Sequence, residues 1–530
     1  MAERGQITDY SEGGAVTAGC LCELMTKHTP NNDPHSKNRQ HPRCNWGRYG
    51  SIWNRRAFLQ TTGAGFASLA LNYLLSREGL LAGESVDGAA SSDTKRNNPL
   101  SVREPHFAAK AKSVIFVFCY GGPSHVDLFD PKPALEEWHG KPIPVFNRED
   151  AFFGDTKDTA FKSPYQFGKY GEAGIDISEK FPEIAKVADE LCVIRSMHCE
   201  SNNHAPALFQ MNTGFILPGR PSMGSWITYG LGSETDQLPA FVVMWDHRGG
   251  PIGGAQNWTA GFLPAAFQGT PFRSSGDPIV DLKPPDGISP ERQKARLAML
   301  ARMNEEHLRR NPAEADLAAR IASYELAYRM QMSAPEAVDI DQEPETVHSL
   351  YGLDNPTTAY FGRQCLLARR LVERGVRFVQ LYSGGGHQQE SWDAHFGLTD
   401  NHDVHCPEID RPVYGLITDL KERGLLDSTL IIWGGEFGRL PTNQGSVGRD
   451  HNPRGFTMWL AGGGIKGGMM YGATDEFGYA AVENRVSLPD LHATCLHLLG
   501  LDHKKLTFHH MSRDMRLTDV SGNVLSELLA

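Results

Sequence analysis

Four times along this chain an apolar run stops at glycine and gives way to a polar loop. The runs are Ser113 to Tyr120 before Gly121-Gly122, Val376 to Tyr382 before Gly384-Gly385-Gly386, Leu430 to Trp433 before Gly434-Gly435, and Phe456 to Ala461 before Gly462-Gly463-Gly464. Runs of this length, rich in β-branched and aromatic residues and without strict alternation, read as strands buried on both faces. Leu191 to Met197 and Leu238 to Trp245 read as further strands, while residues 359–374 and 411–424 carry helical periodicity. Strand, glycine break, polar loop and helix in repetition predict an α/β architecture with a largely parallel sheet. In such folds ligands gather beyond the carboxyl ends of the strands.

The loops behind those strand ends hold the reactive side chains. The first continues Ser124-His125-Val126-Asp127. Three competent residues adjacent in sequence do not make a triad, whose members meet from separate segments, so Ser124 is expected as a turn or cap residue. A second loop reads Glu200-Ser201-Asn202-Asn203-His204-Ala205-Pro206. Pro206 suits the first turn of a helix that ends at Asn212-Thr213-Gly214. His204 therefore stands at a helix start, which serves an anion as readily as a cap. The third loop, residues 382–395, carries Trp392-Asp393-Ala394-His395; a plain surface loop is the competing reading. His402, Asp403 and His405 follow in a stretch expected as a solvated loop rather than a metal site. Glu436 and Arg439 stand behind the Leu430 strand, and Arg449-Asp450-His451-Asn452-Pro453-Arg454 comes a short loop later.

The net charge of −11 and a pI near 6.0 argue against nonspecific binding to nucleic acid or anionic membranes. Nine cysteines without a tight spacing framework read as buried thiols rather than a disulfide scaffold. Residues 1–54 are polar and aperiodic, which predicts disorder. Asn54-Arg55-Arg56-Ala57-Phe58-Leu59 then precedes a small apolar run to Leu75, shorter than the about 20 residues a membrane span needs. Paired arginines ahead of such a run, over residues 55–90, resemble a twin-arginine export signal. A linker over 91–105 then leads to a single α/β domain, 106–530, with a loop and helical insert at about 249–350. The mature chain is expected in the periplasm or beyond, without a transmembrane segment, after handling by the twin-arginine export machinery.

Ser487-Leu488-Pro489-Asp490-Leu491-His492-Ala493-Thr494, ending at Leu499-Gly500-Leu501, resembles the closing segment of sulfatases. Together with Gly121-Gly122-Pro123-Ser124, Trp392-Asp393-Ala394-His395 and Gly435-Glu436-Phe437-Gly438-Arg439, it makes the chain similar to the domain of unknown function 1501 family. That family is related to the alkaline phosphatase and sulfatase superfamily, and the resemblance covers about residues 112–528. It implies a three-layer sandwich with a largely parallel central sheet and helices on both faces. It also implies one divalent metal, zinc or manganese with calcium as a further option, held by Asp393, His395 and His451. Glu436 is the one acid that matches the superfamily's second metal site, since the first strand ends in Tyr120-Gly121-Gly122 without a carboxylate.

The sulfatase nucleophile segment aligns with His204-Ala205-Pro206-Ala207-Leu208, so His204 replaces the residue that becomes formylglycine and Leu208 replaces an arginine. His204 then remains open as a nucleophile, a general acid or base, or a metal ligand. Arg439 is placed with it as catalytic, and Ser124, Asn203, His387 and Arg454 as contacts to the substrate. The expected function is a metal-dependent hydrolase of phosphate or sulfate esters, acting on a small-molecule or glycan anionic ester. The alternative is a non-catalytic binding or scaffold protein of the cell envelope that retains the fold.

Overall fold

A computed structural model describes residues 99–273, 289–310, 330, 335–386, 388–445 and 447–530, all within the compact unit formed by residues 89–530. The expected disordered extension, the twin-arginine segment, most of the linker, part of the insert and His387 lie outside these residues. Strand β1 (Ser113–Cys119) is buried along its whole length. Because successive strand side chains point to opposite faces, Ile115, Val117 and Cys119 enter one core while Val114, Phe116 and Phe118 enter another. Burying a phenylalanine side chain stabilises the fold by about 1.5–3 kcal/mol.

Eight more strands join it: β2 (Leu191–His198), β3 (Phe241–Met244), β4 (Thr270–Pro271), β5 (Phe378–Ser383), β6 (Thr429–Gly434), β7 (Phe456–Ala461), β8 (Met469–Tyr471) and β9 (Val486–Ser487). Among the described residues the sheet runs β8-β2-β7-β6-β1-β5-β3-β4, with β9 also paired to β2. β1 lies parallel to β5 and β6, with Val114 opposite Phe378 on one side and Leu430 on the other. β7 alone runs antiparallel, to both β2 and β6. Its amino end therefore sits at the same sheet edge as the carboxyl ends of β1, β2, β5 and β6.

The longer helices among the described residues are, in chain order, α1 (His204–Thr213), α2 (Met223–Leu231), α3 (Pro290–Arg310), α4 (Ala359–Glu373), α5 (Leu398–Glu422) and α6 (Leu488–Leu498). α4 and α5 pack on one face with the β1 side chains Ile115 and Val117. α1, α2 and α6 pack on the other with Phe116 and Phe118. The result is the expected three-layer α/β sandwich, largely parallel with helices on both faces. Trp433 of β6 stacks flat on Trp459 of β7, ring centroids 5.8 Å apart. α6 starts with a capping box in which Ser487 and Asp490 satisfy each other's backbone N–H groups.

One stretch departs from expectation. His402 and His405 do not lie in a solvated loop; α5 runs through them from Leu398 to Glu422 and buries both completely. Pro407 and Pro412 sit inside this helix, and prolines normally mark a boundary because each removes an intrahelical bond. Here Leu398, His402, Cys406, Ile409, Val413, Leu416 and Leu420 form one buried stripe at helical spacing, and its burial outweighs that loss.

Candidate metal centre

Four buried side chains converge beyond the sheet edge where the strand ends meet: His204, Asp393, His395 and His451, whose ligand atoms all lie within 4.8 Å of one another. They arrive on three segments. His204 opens α1 after β2, Asp393 and His395 follow β5, and His451 precedes β7. The four are 7, 3, 2 and 1% exposed.

Asp393 Oδ1 is the hub. It stands 2.7 Å from His395 Nε2, 3.3 Å from His451 Nε2 and 3.2 Å from His204 Nε2. The Nε2 atoms of His395 and His451 are 2.9 Å apart. The opposite nitrogen of every ring is turned outward to an oxygen. His204 Nδ1 donates to Glu436 Oε1 at 2.7 Å, His451 Nδ1 to the Asn202 carbonyl at 2.6 Å, and His395 Nδ1 to Gln444 Oε1. The Gln444 amide is fixed in that orientation because its Nε2 donates to Asp155 Oδ1 at 3.2 Å.

These outward bonds set the tautomers. A carbonyl or carboxylate oxygen accepts only, so the proton of each imidazole sits on Nδ1 and each Nε2 presents a lone pair inward. Lone pairs facing one another at these distances repel unless a cation lies among them, and His204 Nε2 is a buried nitrogen without a hydrogen-bond partner. Donors on a tetrahedral zinc stand roughly 3.4 Å apart, the scale of the measured separations. Imidazole nitrogens backed by oxygen acceptors are the usual surroundings of a bound metal, so the donor set fits a divalent ion. Without one, a proton takes its place. Burial opposes charge on His204, but the Asp393 carboxylate beside Nε2 and the Glu436 carboxylate on Nδ1 outweigh it and carry the imidazole up to about 9. Burial also works against the Asp393 carboxylate, yet Arg439 and the three histidines hold it well below the usual range. Burial and the nearby His204 charge push His451 down.

The loops leave no room for side chains where they cross. Gly121 has φ 110°, and a Cβ there would lie 2.6 Å from the Asp393 backbone nitrogen. The freed Gly121 N–H donates to both Glu436 oxygens at 3.0 and 3.2 Å. A Cβ on Gly448 would collide with the His395 carbonyl, so this glycine lets the segment before His451 pass behind His395.

The remaining expected site residues spread around this cluster. Glu436 is wholly buried one bond behind His204. Arg439 is also wholly buried, donating to the Gly121, Gly122 and Arg449 carbonyls and at 2.6 Å to Asp393 Oδ1. Ser124 is buried and its hydroxyl bonds Asp127 Oδ2, while its N–H donates to His402 Nε2. Asn203 caps α1, its side chain accepting from Ala205 N. Arg454 is half exposed and pairs with Asp150 Oδ1 at 2.6 Å. Gln444, Asp450 and the Phe152-Phe153 pair were not anticipated. Only Asp450, inside the polar run ending at His451, carried any signal; a glutamine or phenylalanine that touches a histidine ring from a distant segment has no local pattern.

A family model described as protein of unknown function (DUF1501) matches residues 111–529. No curated protein matches the chain. Among solved structures it is similar to the lipoteichoic acid synthase LtaP from Listeria monocytogenes, at 10% identity over 81% of this chain and 80% of that one, TM-score 0.34. It is also similar to the PsFucS1 sulfatase from Pseudoalteromonas sp., at 13% identity over 75% and 68% of the two chains, TM-score 0.32. A third is the phosphonate monoester hydrolase SpPMH from Silicibacter pomeroyi, at 14% identity over 60% and 68%, TM-score 0.29.

Proposed function

The chain belongs to the DUF1501 family of proteins of unknown function, and from that premise we propose that it is an exported, metal-dependent hydrolase of phosphate or sulfate esters. One observation carries the proposal: three imidazole Nε2 atoms and the Asp393 carboxylate converge, each imidazole held from behind by an oxygen. Bound there, a divalent cation supplies Lewis-acid stabilisation of charge developing on the ester. The nitrogen-rich donor set favours zinc or manganese over calcium, which prefers oxygen.

The chain's own residues do the rest. Arg439 keeps Asp393 ionised and aimed, acting as a positioning residue. Glu436 holds the His204 proton on Nδ1, leaving Nε2 free to bind. His204 joins the ligand set, so the reaction uses no formylglycine. Arg454, half exposed beside Asp150, and Asn203 at the start of α1 are the polar groups that meet the anionic substrate. Export rests on Arg55-Arg56 and the short apolar run after them. No helix among the described residues is long and apolar enough to cross a membrane. Residues 106–530 are taken as the single catalytic domain.

One observation favours a second reading, a binding or scaffold protein with a structural metal. Four side chains converge here, as many donors as a structural zinc site uses, whereas a catalytic zinc site keeps a position open. His204, the most exposed of the four, is the residue that would give up its place to an ester. The test is to purify the chain, quantify its metal and assay aryl phosphate and sulfate esters before and after chelation. Turnover is expected to vanish with the metal, return on its replacement and be absent in His451→Ala. Activity that survives complete metal removal overturns the hydrolase; tight metal binding with no turnover favours the scaffold.

A further inference from the structure

Two phenylalanine rings lie directly on the histidines of the cluster. Phe152 stands 5.0 Å from the His451 ring, Phe153 stands 4.6 Å from the His395 ring, and the two are 4.9 Å from each other. Both remain partly open to solvent, 40 and 37% exposed. Phe396, next to His395 in the chain, is 62% exposed with its ring 6.2 Å from the imidazole. Val447, 46% exposed, holds the same corner, its carbonyl accepting from Leu398 N at 3.0 Å. A row of exposed apolar side chains thus borders the metal centre.

Polar anchors, not burial, hold the two rings there. Asp450 Oδ2 accepts from the backbone N–H groups of both Phe152 and Phe153 at 2.9 Å. Arg148 donates to the Phe153 and Gly154 carbonyls at 3.0 and 2.7 Å. Asp155 accepts from Gln444, the same glutamine that orients His395. Exposed aromatic rings cost solvation wherever they stand, and contiguous ones mark surfaces that meet another apolar group.

We propose that Phe152, Phe153, Phe396 and Val447 form the subsite for the organic group of the ester, which is aryl or alkyl rather than a sugar. The inference rests on the hydrolase reading above. An aryl ring stacks on the phenylalanines, whereas a sugar in that place sets its hydroxyls against four side chains that offer no hydrogen bond.

The test uses the full chain loaded with zinc. Turnover of 4-nitrophenyl sulfate and phosphate is compared with glucose 6-sulfate and 6-phosphate, in wild type, Phe153→Ala and Phe396→Ala. Calorimetry with 4-nitrophenol is run in parallel, zinc-loaded and metal-free. The expected results are a preference for the aryl ester, KM raised about tenfold in Phe396→Ala, weaker 4-nitrophenol binding in both variants, and unchanged zinc affinity in Phe396→Ala. A sugar ester turned over as well as its aryl partner overturns the proposal. So do variants that change zinc affinity but not the KM for aryl esters, because the rings then only shield the imidazoles. Should no ester be turned over, the hydrolase reading fails by itself. The subsite then stands or falls on whether wild type binds 4-nitrophenol and the variants lose it.

Discussion

Glu436 is wholly buried, yet it decides what His204 can do. Its Oε1 holds the His204 Nδ1 proton at 2.7 Å while the Gly121 N–H fixes the carboxylate from the other side. The other two histidines have neutral partners, an amide oxygen and a backbone carbonyl. His204 is therefore the most electron-rich donor of the set. Removing such an outer partner weakens metal affinity by about 10–100-fold. Glu436→Gln is expected to lose affinity in that range, read by competition with a chromogenic chelator, with far-ultraviolet dichroism unchanged. Gln444→Ala should act in the same direction through His395. Equal zinc affinity in both variants and wild type would count against this assignment of the ligands.

At the scale of elements, α5 carries a carboxylate that docks a neighbour. Asp410 accepts from the backbone N–H groups of Glu183 and Ile184 at 2.9 and 2.8 Å, holding the turn Ile184–Glu190 against the helix. Burial raises this carboxyl to about 7, with the Glu183 charge adding to the rise and the two N–H bonds and Lys186 opposing it. A folded value above the unfolded one means that the native state binds the proton more tightly. The stabilisation is then complete below about 4 and is lost as the pH rises through about 7. Asp410→Asn keeps an acceptor and cannot ionise. Relative to wild type its stability should improve between pH 4 and pH 8 by up to roughly 4 kcal/mol, measured as the shift in urea midpoint. A difference that stays flat across that window would remove Asp410 as the cause. The same helix shows why the sequence misled. The stretch holding His402 and His405 was expected as a solvated loop, because its apolar stripe passes through a histidine, His402, that only burial reveals as a core residue.

For the molecule as a whole, the cluster ties together segments from residues 204, 393–395 and 451, which arrive from different strands of the sheet. A ligand that binds the native state alone stabilises it by mass action, about 4 kcal/mol when present at a thousandfold its dissociation constant. Chelation is therefore expected to lower the thermal midpoint of the wild-type chain by several degrees and to leave His451→Ala unmoved. An identical fall in both would place the chelator's effect elsewhere.

The sheet and its edge were readable in advance because strand identity is a local property. Apolar runs ending in glycine identify β1, β5, β6 and β7 wherever the rest of the chain lies. The segments that meet at the site were readable for the same reason, since each follows or precedes such a run. Only the tertiary structure decided their geometry. β7 runs against its neighbours, and that reversal alone brings a residue before a strand, His451, to the edge where His204 and Asp393 follow theirs. The hydrogen bonds that turn each Nε2 inward join residues 49, 232 and 249 positions apart. Contacts at such separations leave no periodicity in the sequence, because they are chosen by how the loops pack and not by any residue's neighbours along the chain.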